Sequence, residues 1–243
     1  MKSLRFLPCL LFSVAAAAAT PSPGVPADAR WSSSDQWAEW KDAGHTVRNN
    51  IWGEKPGAQT VWAVSAAHYG VWADHPGTGG IKSYPHSEKA VHRPLSALTR
   101  CTTRFACVVP AAGAYNTAYD IWCEKHAYEI MVWVNWTGPV APITAHWSRE
   151  GKPIPDFKSV TVGGHTWDVF KGTNGYNQVY SFLRTDPATA GEIDVKELLL
   201  WVKQAGWFDG KDVALDEIQF GWEITSSPGG LNFEVTDFSA DVE

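Results

Sequence analysis

Glu129 and Glu223 each stand alone among large apolar neighbours, in Tyr128-Glu129-Ile130-Met131-Val132-Trp133 and Gln219-Phe220-Gly221-Trp222-Glu223-Ile224. A solitary acid in such surroundings is costly unless its side of the chain opens onto water. Two acids on the borders of one cleft are the apparatus of glycoside hydrolysis, which places a carboxylate beneath the anomeric carbon and a carboxylic acid at the leaving oxygen. A third acid, Asp120 in Tyr119-Asp120-Ile121-Trp122, is placed to steady Glu129 and share a proton with it. Taken singly, each acid also fits a solvated strand position or a structural ion pair.

Strands must position these groups. A period of two puts Tyr128, Ile130, Val132 and Val134 on one face and Glu129, Met131, Trp133 and Asn135 on the other. In the second run Ile218, Phe220, Trp222 and Ile224 share a face, with Gln219, Gly221 and Glu223 opposite. The glycine there is expected to leave room for a ligand. From Trp31 to Arg184 short alternating or aromatic runs are separated by Gly, Pro, Asn and Ser clusters, including Gly77-Thr78-Gly79-Gly80, Gly163-Gly164 and Thr173-Asn174-Gly175. That spacing predicts a β-sandwich or barrel. One helix interrupts it: Val195, Leu198, Leu199 and Val202 have helical spacing, Thr189 and Glu192 suit a capping box, and Gly206 suits the stop.

Fourteen tryptophans in 243 residues exceed ordinary usage. Their flat faces with a hydrogen-bonding edge suit the C–H face of a pyranose. A net charge of -6 argues against nucleic acid and anionic membranes as partners, and favours a neutral ligand. Met1-Lys2-Ser3-Leu4-Arg5, an apolar run and Ala15–Ala19 have the order of a secretory signal peptide. The expected organisation is a signal at 1–19, a Pro- and Ser-rich flexible leader at 20–34, and one domain over 35–243. With Cys9 in the signal, Cys101, Cys107 and Cys123 allow one disulfide at most. A hairpin turning near Ala112-Gly113 favours Cys101 with Cys123. No spacing suggests a metal site, and no phosphate loop or dinucleotide fingerprint suggests a cofactor. Asn135-Trp136-Thr137 is a glycosylation sequon. His126 and His146 read as surface or loop-anchoring residues.

The order of these segments resembles glycoside hydrolase family 12. Asp35-Gln36-Trp37-Ala38 and Asn49-Asn50-Ile51-Trp52-Gly53 are similar to its N-terminal strands, and Lys82-Ser83-Tyr84-Pro85 to its next landmark. The runs around Asp120 and Glu129, Val162-Gly163-Gly164 through Trp167, Asn174-Gly175, Val179-Tyr180-Ser181-Phe182, Asp194-Val195-Lys196 and the run ending in Glu223 follow in the family's order. The resemblance implies an all-β jelly roll of two packed antiparallel sheets, with one helix and an open concave cleft. It also implies a secreted, monomeric, retaining endo-β-1,4-glucanase that uses no cofactor. Glu129 would be the nucleophile, Glu223 the acid/base and Asp120 the neighbour that bonds the nucleophile. Trp52 and Trp37 would be sugar platforms on the non-reducing side, with Asn50, Met131 and Trp133 lining the centre.

Two departures concern substrate choice. Ser34 stands where relatives commonly carry a cysteine before Gln-Trp, and Glu223-Ile224-Thr225 replaces the Glu-Pro-Phe of many cellulases. The short segment between Asp120 and Glu129 and the missing Pro-Phe favour an open product side that admits xyloglucan as well as unbranched β-glucan. A non-catalytic carbohydrate-binding lectin is the alternative, and a xylanase of the related jelly-roll family is the nearest enzymatic competitor. Glu129 and Glu223 on facing sides of a cleft would separate enzyme from lectin.

Overall fold

The computed structural model describes residues 24–77 and 79–243. The expected signal peptide at 1–19 and Cys9 therefore lie outside the described residues. In chain order the strands are β1 (Trp31–Ser33), β2 (Glu39–Asp42), β3 (His45–Arg48), β4 (Ala58–Ser65), β5 (His68–Asp74), β6 (His86–Pro94), β7 (Cys101–Val108), β8 (Ala114–Cys123), β9 (Tyr128–Thr137), β10 (Phe157–Val162), β11 (His165–Thr173), β12 (Gln178–Arg184) and β13 (Ala190–Asp194). The helix α1 (Val195–Gln204), β14 (Ala214–Ser226) and β15 (Leu231–Val242) complete the chain. They build a six-stranded sheet ordered β1-β4-β5-β15-β7-β13 and a nine-stranded sheet ordered β10-β11-β12-β9-β8-β14-β6-β3-β2. The two sheets pack as a jelly roll. Every ladder is antiparallel except β12 with β9.

The core between the sheets decides which side chains face away from it. Tyr119, Ile121, Ile130, Val132, Ile218, Phe220 and Trp222 are fully buried in one cluster with Tyr69, Phe105, Phe233 and Phe238 of the smaller sheet. Tyr119 and Phe220 pack closely at a tilt, ring centroids 4.5 Å apart, and Phe220 also stacks on Phe238 at 5.6 Å. Truncating such a ring costs about 3–5 kcal/mol, so register in β8 and β14 is firmly held. By alternation Asp120, Trp122, Glu129, Met131, Gln219 and Glu223 must then point to the opposite face of the nine-stranded sheet.

Alternation fails at one place. Trp133 pairs with Ala118, but Asn135 pairs with Thr117, so Val134 is an extra residue in β9. This bulge returns Asn135 to the core side, where it accepts from the Thr117 hydroxyl at 2.7 Å and donates to the Ala188 carbonyl at 2.9 Å. Asn135 is therefore a buried, bonded residue, not a cleft residue.

Other expectations are corrected by topology. Consecutive β7 and β8 lie in different sheets, so they form no hairpin, and Cys101, Cys107 and Cys123 are free and buried. Trp31–Ser33, expected in the leader, pairs with Val61–Ala63, so the ordered fold reaches back beyond residue 35. The helix cap is Asp194, whose carboxylate accepts from the Glu197 N–H, because Ala190–Asp194 is drawn into a strand against β7. Leu198, Leu199 and Val202 bury the predicted face, and Gly206 follows the helix at φ +75°. Gly221 leaves no ligand space: a Cβ there would meet the Pro85 carbonyl at 2.0 Å. Its role is to let the chain before β6 approach β14.

Candidate active site

The outward face of the nine-stranded sheet holds a cavity of about 460 Å³ lined by residues from distant parts of the chain. Asp120 and Trp122 come from β8, Glu129 and Met131 from β9, and Gln219 and Glu223 from β14. Asn50, Trp52, Ile81 and Tyr84 enter from connecting segments at one end of the strands, and His126 and Asn174 from turns at the other. Backbone hydrogen bonds fix the first group: Trp52 and Gly53 donate to the Lys82 carbonyl at 3.0 and 2.9 Å, and Tyr84 donates to the Asn50 carbonyl at 2.9 Å. Asn50 takes φ +45°, a conformation asparagine tolerates better than most residues.

Glu129 is paired in register with Trp122, and Glu223 with Asn116, near opposite ends of β8. Asp120 lies between them, paired with Met131 on one side and Gln219 on the other. A linear ligand crossing the strands thus meets Glu129 on one wall and Glu223 on the other, with Asp120 and Met131 in the floor. Asp120 and Glu129 are buried and Glu223 is partly buried.

Burial dominates the electrostatics. Desolvation raises the Asp120 carboxyl well above its ordinary value, and the charges of Glu129 and Glu223 push it the same way. Glu129 is pushed up to about 8 by desolvation and then by the charge of Glu223. Desolvation raises Glu223 to about 7, while the Asn116 amide, donating to its Oε2 at 2.5 Å, favours the ionised form. Three carboxyl groups in one desolvated cavity do not all ionise, so the trio retains protons close to neutral pH and titrates as a unit. Such a site can offer an anion on one wall and a transferable proton on the other.

A model of glycosyl hydrolase family 12 matches residues 43–243. The chain belongs to glycoside hydrolase family 12. It is a glycoside hydrolase. Over 209 residues it is 30% identical to a probable xyloglucan-specific endo-β-1,4-glucanase A of Aspergillus terreus, covering 79% of this chain and 81% of that protein. Endoglucanase S of Pectobacterium parmentieri is 25% identical, with 80% of each chain covered. Among solved structures, the xyloglucanase domain of NopAA, a type three effector from Sinorhizobium fredii in complex with cellobiose, is 38% identical with a TM-score of 0.85, covering 88% of this chain and 99% of that one.

Within this family 12 chain, Glu129, Glu223, Asp120, Asn50, Trp52 and Met131 meet in the central cavity. Trp37 lies outside it, 62% exposed, in a neighbouring depression with Arg48, His86 and Glu88 that shares Asn50 and Gln219 with the centre. Arg48 is held there by Glu88 at 2.9 Å and Glu39 at 2.5 Å, so its charge is already compensated. Trp133 also sits off-centre, almost fully buried, in a depression beyond Glu223 with Asn116, Ile81 and Val140. Asn116, Trp122, Tyr84, Ile143 and Asn174 line these depressions without being candidates from sequence, and His126, expected as a surface or loop anchor, lines the central cavity. Asn116 and Trp122 share the face of Asp120, so alternation carried a signal for them. His126, Ile143 and Asn174 reach the cavity from loops, where alternation says nothing. His146 is the exposed residue expected, 3.5 Å from Asp156.

Proposed function

We propose that this protein is an exported, monomeric, retaining endo-β-1,4-glucanase that cleaves unbranched β-glucan and xyloglucan. The observation that carries the reading is that Glu129 and Glu223 line opposite walls of one cavity, with a third desolvated acid, Asp120, between them. Support for the substrate comes from the 30% identical relative, described as xyloglucan-specific, and from the 38% identical neighbour with cellobiose bound. A lectin is not favoured, because sugar binding alone gives no reason to desolvate three carboxyl groups.

In this reading the Asp120 carboxyl, raised by burial and then by the charges of Glu129 and Glu223, shares protons with both of them. Bound substrate, whose anomeric carbon gains positive charge, shifts the shared protons onto Asp120 and Glu223 and leaves Glu129 as the anion beneath that carbon. Glu129 attacks C1 while Glu223 delivers its proton to the glycosidic oxygen, which leaves with the aglycone. Glu223, now anionic, takes a proton from water. The resulting hydroxide equivalent attacks C1, Glu129 departs, and the product keeps its original configuration. Retention requires carboxyl groups about 5–5.5 Å apart with substrate bound. The positive n-region and apolar run of residues 1–19 support export.

A reducing-sugar and viscosity assay on carboxymethylcellulose, mixed-linkage β-glucan, xyloglucan and xylan tests this. Viscosity should fall faster than reducing ends accumulate on the glucans. Turnover confined to xylan, or none on any of the four, would overturn the reading.

A further inference from the structure

The turn joining β8 to β9 is unusual. Glu124, Lys125 and His126 all take left-handed backbone conformations, at φ 53°, 55° and 65°, with no glycine among them. Consecutive non-glycine residues in this region are strained, and persist only where surrounding contacts over-determine them. Those contacts are present. Glu124 N–H donates to the Ala214 carbonyl at 2.9 Å, Ala127 N–H to the Glu124 carbonyl at 3.2 Å, and His126 N–H to Asp216 Oδ2 at 3.2 Å. The Asn177 amide, from the β11–β12 turn, donates to the His126 carbonyl.

The product of this strain is a placed imidazole. The His126 ring lies on Trp122 with centroids 4.6 Å apart and planes 25° from parallel. Its Nε2 is 3.4 Å from Glu217 Oε1, which in turn accepts from the Gln219 amide at 2.8 Å. Trp122, His126, Gln219 and Asn174 all line the central cavity. Trp122 is the register partner of Glu129 on one side and of Glu217 on the other, so the stack stands at the Glu129 end of β8, away from Asn116 and Glu223 at the other end.

In a β-1,4-linked backbone each glucose is turned over relative to the next, so successive O6 groups point to opposite walls of a cleft that holds the chain. A xylose on O6 must therefore meet a wall. A stacked indole–imidazole pair bordered by a carboxylate and two amides suits a small pentose: apolar C–H surface on the uncovered ring face, hydroxyls to the polar edge. We propose that the Trp122–His126 stack is a subsite for an O6-linked pentosyl branch, and that His126 determines preference for the branched backbone. The inference rests on the glucanase reading above and assigns its substrate class.

The test is the ratio of kcat/KM on xyloglucan oligosaccharides to kcat/KM on unbranched cello-oligosaccharides, for the wild type, His126→Ala and His126→Phe. A ratio taken on one preparation is independent of the fraction folded. His126→Ala should lower it roughly tenfold, mainly through KM on the branched substrate, whereas His126→Phe, which keeps the stack, should hold it within about threefold of wild type. Glu217→Gln leaves the turn intact and removes the imidazole's acidic partner, and it should move the ratio in the same direction as His126→Ala. Ratios within about twofold of wild type in both His126→Ala and Glu217→Gln would overturn the branch subsite and leave the glucanase reading standing. A wild type that cleaves only the unbranched series would do the same. A wild type that cleaves neither substrate would overturn the glucanase reading itself.

Discussion

Replacing Glu129 with glutamine should stabilise the protein, and only above mildly acidic pH. Burial and the charge of Glu223 raise the Glu129 carboxyl from 4.5 to about 8. A carboxyl raised on folding contributes stability that is complete below the unfolded value and is lost as pH climbs through the folded one. Near pH 4 the wild type therefore holds a neutral Glu129 at no penalty, and by pH 8.5 it carries a buried anion. A shift of roughly 3.5 units at about 1.4 kcal/mol per unit gives a ceiling near 5 kcal/mol. Because the protons are shared with Asp120 and Glu223, about 2–3 kcal/mol is the expected share. At about 2–4 °C per kcal/mol for a domain of this size, that is roughly 5–10 °C in Tm. Calorimetric melting of both proteins from pH 4 to 8.5 reads it out. The variant-minus-wild-type difference should be close to zero at pH 4 and rise to roughly 5–10 °C at pH 8.5. Buried His75 and His86, each lowered to about 4, act alike in both proteins and cancel. Parallel curves, or a variant that melts lower at pH 8.5, would refute the desolvated carboxyl trio.

For Glu223→Ala, azide should restore turnover of glucosides with good leaving groups and release a glycosyl azide of retained configuration, because a small anion can attack the glycosyl-enzyme without a general base. Absence of rescue, with the fold intact, would assign Glu223 a structural role. Trp52→Ala, which removes a 42% exposed ring from the cavity wall, should cost about 1–3 kcal/mol of productive binding and raise KM on branched and unbranched glucans alike. Unchanged kinetics would remove Trp52 from the sugar path. When the protein is made in a glycosylating host, intact mass should show no glycan on Asn135, whose amide is bonded to Ala188 and buried. A glycan there would place Asn135 outside the core.

The faces of Glu129, Met131, Glu223 and Gln219 were legible because strands buried on one side must alternate, and the core aromatics of β8 and β14 leave no other solution. Asn135 was misread for the same reason in reverse: one extra residue, Val134, flips everything beyond it, and nothing in the composition of the run marks the bulge. The helix body was legible from Leu198, Leu199 and Val202. Its start was not, because the Thr189–Glu192 spacing imitates a capping box while β7 recruits that segment as a strand. Cys101 and Cys123 looked like hairpin partners because neighbours in sequence usually pair, whereas the jelly roll sends β7 and β8 to different sheets. His126 reads as a surface or loop anchor in the sequence, and not as a cavity residue, because a turn residue's direction depends on backbone conformations that only surrounding contacts impose.

The central claim is that Glu129 becomes covalently glycosylated. A 2-deoxy-2-fluoro cellobioside with an activated leaving group slows breakdown of the glycosyl-enzyme, so peptide mapping by mass spectrometry can find the modified residue. The account predicts one ester-linked sugar on the peptide that contains Tyr128-Glu129-Ile130, absent in Glu129→Gln. A protein that turns over β-glucan yet accumulates no adduct, or an adduct on Glu223 or Asp120 in place of Glu129, would contradict it.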